Sequence, residues 1–172
     1  MKKNIVLIGF MGVGKSTLGR RLARRLGYKF IDTDSAIETI TGKTVEQIFR
    51  TDGETRFRSE ENLLVRKLAG QTGLVMATGG GMVLDPENVE LFKRNGILIG
   101  LHAEPEVILQ RVKNKRHRPL LHKGNLLDNI LRLTKEREGV YDIAELTLDT
   151  GRLTYDDMLR EIHTFLTQKG YL

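Results

Sequence analysis

"NIVLIGFMGVGKSTLGRRLARRLG", residues 4–27, decides the fold. Its first part, 4–10, is a continuous apolar run, the pattern of a strand covered on both faces. "GFMGVGKS" then fits the spacing G-x-x-x-x-G-K-[ST]. In "STLGRRLARRLG", 16–27, Leu18, Leu22 and Leu26 recur four apart with arginines between them. That predicts an amphipathic helix, with Gly27 where it ends. A strand, a glycine loop and a helix in this order make a phosphate-binding loop. The glycines let backbone N–H groups curl around phosphate oxygens, and the helix N-terminus adds its dipole. The nucleotide-contacting set is Gly12, Val13, Gly14, Lys15, Ser16 and Thr17. Lys15 reaches the β- and γ-phosphates, and the Ser16 hydroxyl is a candidate Mg²⁺ ligand. The competing reading is a glycine-rich turn with no ligand, and the flanking strand and helix weigh against it. Such a loop names a nucleotide but no acceptor.

Further apolar runs predict strands at 29–34, 73–81, 96–103 and 144–150, with a last helix over roughly 154–168. Strands alternating with helices imply a parallel sheet covered on both faces. Ligands of such sheets bind beyond the carboxyl ends of the strands. The loops at 9–17, 32–34, 79–81 and 150–152 are therefore expected along one edge.

The 172 residues suit one domain, 1–172, and no linker, repeat or low-complexity segment interrupts them. There is no cysteine, which excludes disulfides, thiolate metal sites and cysteine nucleophiles. "MKKNIVLIGFMGVG" superficially resembles a secretory leader, but Lys15 and a run of arginines replace a cleavage site. No apolar run approaches the roughly 18–20 residues that span a membrane. The net charge of +6 admits nucleic acid and equally a site for small polyanions.

"VMATGGGMV", 75–83, places a second glycine cluster at the end of a second strand-like run. One φ > 0 turn explains one glycine, but not three. A close backbone approach to a second substrate explains them better. In "DTD", 32–34, one aspartate is placed to hold Mg²⁺ through water. The other can hydrogen-bond an acceptor hydroxyl and take its proton. The plainer alternative is that Asp34 or Ser35 caps the next helix. Arg58 and Arg137 have the planar forks that suit a carboxylate, although helical arginines are usually solvated.

The ordered set "GFMGVGKSTLGR", "FIDTD", "TGKTVEQIF", "GETRFRSEE", "TGGG", "RPLL" and "REGVY" resembles the shikimate kinase family over nearly the whole chain. The resemblance implies an α/β three-layer P-loop kinase fold, like that of the nucleoside monophosphate kinases. That fold has a five-stranded parallel sheet flanked by helices and a mobile lid, here about 113–124. It implies phosphoryl transfer from ATP to a shikimate hydroxyl, in the pathway to aromatic amino acids, with Mg²⁺. The acceptor region is then about 32–61. Asp34 contacts the substrate hydroxyls, and Arg58 and Arg137 hold its carboxylate. Gly79, Gly80 and Gly81 present backbone N–H groups. Glu61 orients the arginines, Phe49 and Phe57 flank the ring, and Ser16 and Asp32 serve the metal. Family members often carry a proline shortly after the arginine matching Arg137. Here the segment reads "REGVY", which Gly139 is expected to loosen.

"RVKNKRHRPLLHKGN", 111–125, is strongly basic and lies where the family's lid lies. Arg118 is expected to stabilise the transferring phosphate, and His117 and His122 are read as incidental. Arg111 and Arg152 match positions that stack on adenine. Lys15, Asp34 and Arg118 are thus the catalytic candidates. A cytoplasmic monomer without nucleic-acid or membrane partners is expected. Two alternatives compete: a kinase of another small hydroxy acid such as gluconate, and a regulatory or nucleic-acid-binding P-loop protein. Only the charge supports the latter, since no stacking motif or base-reading helix is found.

Overall fold

The computed structural model describes residues 2–115 and 124–172. Five parallel strands form one sheet in the order β2-β3-β1-β4-β5. They are β1 (Asn4–Ile8), β2 (Lys29–Asp32), β3 (Leu74–Ala77), β4 (Gly96–His102) and β5 (Leu146–Asp149). Helices α1 (Lys15–Leu26), α2 (Thr33–Thr41), α3 (Val45–Thr51), α4 (Glu54–Leu68) and α5 (Pro86–Asn95) run between the first four strands. Helices α6 (Pro105–Val112), α7 (Leu126–Glu136) and α8 (Tyr155–Gln168) complete the described α-helices, and a short 3₁₀ helix spans Met82–Leu84.

The central strand shows why both faces must be covered. Every residue of β1 is buried, and its side chains alternate between two cores. Ile5 and Leu7 join Leu18, Leu22 and Ile162 from α1 and α8. Val6 and Ile8 join Ile37, Leu64 and Phe92 from α2, α4 and α5. A strand with a period of two therefore reads as one unbroken apolar run. Asn4 fixes the far end of the sheet: its Oδ1 accepts the Leu74 N–H at 3.0 Å and its Nδ2 donates to the Gln71 carbonyl at 2.8 Å.

Strand order reverses at β1, so the chain leaves it into the crevice where such sheets bind ligands. α1 begins at Lys15, one residue earlier than expected, after Gly14 in a positive-φ conformation (103°) that glycine adopts without penalty. Gly27 ends it in the left-handed region, as expected. All five strands stop short of their expected ends, because the loops start sooner. β2 ends at Asp32, which caps α2 by accepting the Ser35 N–H at 3.1 Å. Neither Asp34 nor Ser35 is that cap, and Asp34 lies in the first helical turn. β3 ends at Ala77, leaving the three glycines beyond the sheet, and β5 covers 146–149.

Candidate active site

A cavity of about 530 Å³ opens at the carboxyl edge of the sheet, lined in part by Gly12, Lys15, Ser16, Asp32, Asp34, Gly79 and Gly80. The phosphate loop and the second glycine cluster therefore share one cavity, as the position of their strands requires.

On the nucleotide side, the Lys15 ammonium is turned into its own loop. It donates to the carbonyls of Gly9 at 2.7 Å and Phe10 at 2.9 Å. These contacts hold the charge inside the loop's curve. Ser16 Oγ donates to Asp32 Oδ2 at 2.5 Å, which brings the two metal candidates together. Asp32 thus uses one oxygen on the helix cap and the other on Ser16. Arg111 donates to the Val13 carbonyl at 3.0 Å, to Thr150 Oγ1 at 2.8 Å and to the Thr150 carbonyl at 2.7 Å. It ties the phosphate loop to the loop after β5 through the edge of its guanidinium plane. Arg152 is 82% exposed and pairs with Asp149 at 3.3 Å, so among the described residues it is held only at its own loop.

On the acceptor side, the three glycines have a definite cause. None of them has a positive φ. What they share is crowding by charged groups. A Cβ on Gly79 would lie 2.9 Å from both Asp34 Oδ1 and Glu61 Oε1. On Gly80 it would lie 3.1 Å from Arg137 Nη1 and 3.2 Å from the Met11 nitrogen. On Gly81 it would lie 2.5 Å from Arg58 Nη2. Each glycine seats a different charged side chain, and Gly80 also lets this loop close on the phosphate loop. The unusual φ/ψ allowed for in the sequence reading is not needed.

Arg58 and Glu61 come from one face of α4, and Arg58 Nη1 donates to Glu61 Oε2 at 2.7 Å. Glu61 Oε1 is buried with no hydrogen-bond partner among the described residues, and so is Arg137 Nη1. Burial, reinforced by the neighbouring Asp34, pushes the Glu61 carboxyl up to about 7 against the pull of Arg58 and Arg137. Arg58 is held above its usual range because Glu61 and Glu54 outweigh its burial. Arg137 sits just past α7 at 6% exposure, with its guanidinium 5.6 Å from the Phe10 ring centroid. Gly139 does adopt a positive φ of 77°, yet Arg137 remains buried. Phe49 and Phe57 pack with centroids 5.0 Å apart, Phe57 being buried beneath Arg58.

Three hydroxyls escaped the sequence reading. Thr33, the middle residue of "DTD", is fully buried and accepts the Gly79 N–H at 3.0 Å. Thr78 donates to the Leu7 carbonyl at 2.9 Å. Tyr141 of "REGVY" donates to the Gly80 carbonyl at 2.6 Å. Thr33 and Thr78 lay within motifs already singled out, but nothing in their types distinguishes a loop clamp from a solvated hydroxyl. Arg118, His117 and His122 lie outside the described residues, as does most of the segment expected as a lid. Among the described residues no helix is long and apolar enough to cross a membrane, and no three His, Cys, Asp or Glu side chains cluster as a ready-made metal site.

A phosphate loop at the switch point of a parallel sheet, sharing its cavity with an aspartate and with a glycine cluster against which two arginines pack, defines a P-loop kinase. The family model for shikimate kinase matches residues 11–167. A shikimate kinase of Pelotomaculum thermopropionicum is 63% identical over 170 residues, covering 99% of each chain. This chain belongs to the shikimate kinase family. The shikimate kinase of Acinetobacter baumannii, solved in complex with shikimate, superposes with a TM-score of 0.92 at 37% identity, covering 97% of this chain and 94% of that one. A gluconokinase of Sinorhizobium meliloti superposes with a TM-score of 0.62 at 17% identity, covering 97% of this chain and 93% of that one, and shares the fold alone.

Proposed function

We propose that the chain transfers the γ-phosphoryl group of ATP to the 3-hydroxyl of shikimate, giving shikimate 3-phosphate and ADP. The observation that carries this reading is the seating of Asp34, Arg137 and Arg58 on three successive glycines that abut the phosphate loop. Two buried or half-buried guanidinium groups suit one carboxylate, and an aspartate beside them suits a hydroxyl. Gluconate is also a hydroxy acid, but the relative that would favour it is only 17% identical.

In this reading Asp34 accepts the proton of the attacking hydroxyl as its oxygen bonds to the γ-phosphorus and the bond to ADP breaks. Lys15 leaves the Gly9 and Phe10 carbonyls for the β- and γ-phosphates. Arg111 offers a guanidinium face to adenine while its edge bonds keep the loop in place, and Arg152 is assigned to the same side. Arg118 is assigned to the transferring phosphate on the family motif alone. The lid, 113–124, and the single domain, 1–172, belong to the same reading. So does a cytoplasmic monomer, and ATP as co-substrate supports that compartment.

Mg²⁺ fits the donors present. A hydroxyl and a carboxylate already in contact, beside a phosphate loop, match an ion that keeps several waters and binds through few protein oxygens. Ser16 and Asp32 would hold it, Asp32 through water, and it would neutralise charge on the β- and γ-oxygens. A coupled ADP-release assay tests the whole reading. ADP release is expected with shikimate and not with gluconate. Turnover that ignores shikimate would overturn it.

A further inference from the structure

Tyr141 is the hydroxyl among the three that binds the carbonyl of the middle glycine. It lies in the turn after α7, half buried, and packs against the cores on both sides of the sheet. Its Oη donates to the Gly80 carbonyl at 2.6 Å across 61 residues of chain. It borders a cavity that also touches Phe10 and Arg137 but does not include Gly80. Gly80 lines the other cavity, shared with Asp34 and Lys15. The bond thus joins the turn that follows Arg137 to the loop that lines the first cavity.

The consequence follows from peptide geometry. The chain has no cis peptide bonds among the described residues, and in a trans peptide the C=O and the next N–H point in opposite directions. Holding the Gly80 oxygen toward the phenol aims the Gly81 N–H away from it. Neither the Gly80 nor the Gly81 N–H has an acceptor among the described residues. A glycine pair has little steric reason to keep one peptide orientation. With the plane reversed, carbonyl and N–H would exchange places, changing the dipole the loop offers to an anionic substrate. The same phenol neighbours Arg137, and burial pushes its pKa up, which keeps it a neutral donor.

We propose that Tyr141 is a positioning residue for the acceptor substrate: it fixes the orientation of the Gly80–Gly81 peptide and couples that loop to the turn carrying Arg137. This rests on the assignment of the glycine cluster and Arg137 to the acceptor. No atom of Tyr141 is required to touch the substrate.

Tyr141→Phe keeps the ring and removes only the hydroxyl. In the full-length enzyme, KM for shikimate should rise roughly three- to tenfold, the usual yield of one neutral hydrogen bond. KM for ATP should stay within about twofold, and kcat should fall less than KM rises. Thermal unfolding of the free variant separates this from a packing role. If the melting point drops and both KM values rise in parallel, or if shikimate KM does not change, the proposal is overturned. An additional arm uses shikimate-induced and ATP-induced thermal shifts: the first should shrink in Tyr141→Phe and the second should not. Failure of the underlying reading looks different, because the wild-type protein would then show no shikimate-dependent ADP release.

Discussion

Arg58 and Glu61 stand one helical turn apart on α4, joined by a 2.7 Å bond from Nη1 to Oε2, with Glu61 1% exposed and Arg58 27% exposed. The arginine caps a buried carboxylate with one nitrogen, while Nη2 reaches Glu54 at 3.2 Å. Its aim toward Gly81 is therefore set before any ligand arrives.

Arg58→Ala should weaken shikimate binding far more than ATP binding. A charge-assisted bond is worth roughly 1.5–3 kcal/mol, or about ten- to a hundredfold. The variant also strands the Glu61 carboxylate, so some loss of stability is expected with it. Isothermal titration with each ligand checks this, and equal losses for both would mean a general defect instead of a lost carboxylate contact.

Gly81→Ala probes the same arginine from the other side. The new methyl would stand 2.5 Å from Arg58 Nη2, closer than any real contact, so the guanidinium must move. Because the moving group is the far end of a side chain, the protein should still fold. KM for shikimate is expected to rise at least tenfold, by the same contact energy, with nucleotide affinity kept. Normal shikimate kinetics would mean that Arg58 does not hold the acceptor.

Much of this was legible in the residues. The phosphate loop announced itself through spacing and context, since the same glycines must serve any phosphate. β1 was legible because burial on both faces leaves an unbroken apolar run. The strand ends were not: Asp32 and Asp34 are the same residue type two positions apart. Only the backbone shows that Asp32 caps α2 while Asp34 faces Gly79. The triple glycine was read as room for substrate. The structure adds that each one first makes room for the protein's own charges. Tyr141 and Thr33 could not be read, because a hydroxyl reaching a carbonyl or an N–H distant in sequence leaves no local pattern.

Lys15→Ala should abolish turnover with little change in fold. The residue is only 8% exposed, and its ammonium donates to two carbonyls of its own loop. Circular dichroism should be unchanged while kcat falls by orders of magnitude, as expected when charge on the phosphates goes unmatched. Near-normal kcat would remove the lysine from the mechanism.

Glu61 gives the proposed acceptor site a pH signature. Its carboxyl is raised from 4.5 to about 7, first by burial and then by Asp34. A carboxyl with a raised value binds its proton more tightly in the folded chain than in the unfolded one. The stability this contributes is complete below about pH 4.5 and is lost as pH rises through about 7. The span corresponds to about 3 kcal/mol at most, at 1.36 kcal/mol per unit. Glu61→Gln removes the titration and keeps the shape. The stability of the wild type relative to this variant should therefore fall from about pH 5 to about pH 8 and then level off. Urea unfolding midpoints of the two proteins across that range measure the difference. A flat difference would show that Glu61 is already ionised at pH 5, with Arg58 and Arg137 overcoming its burial.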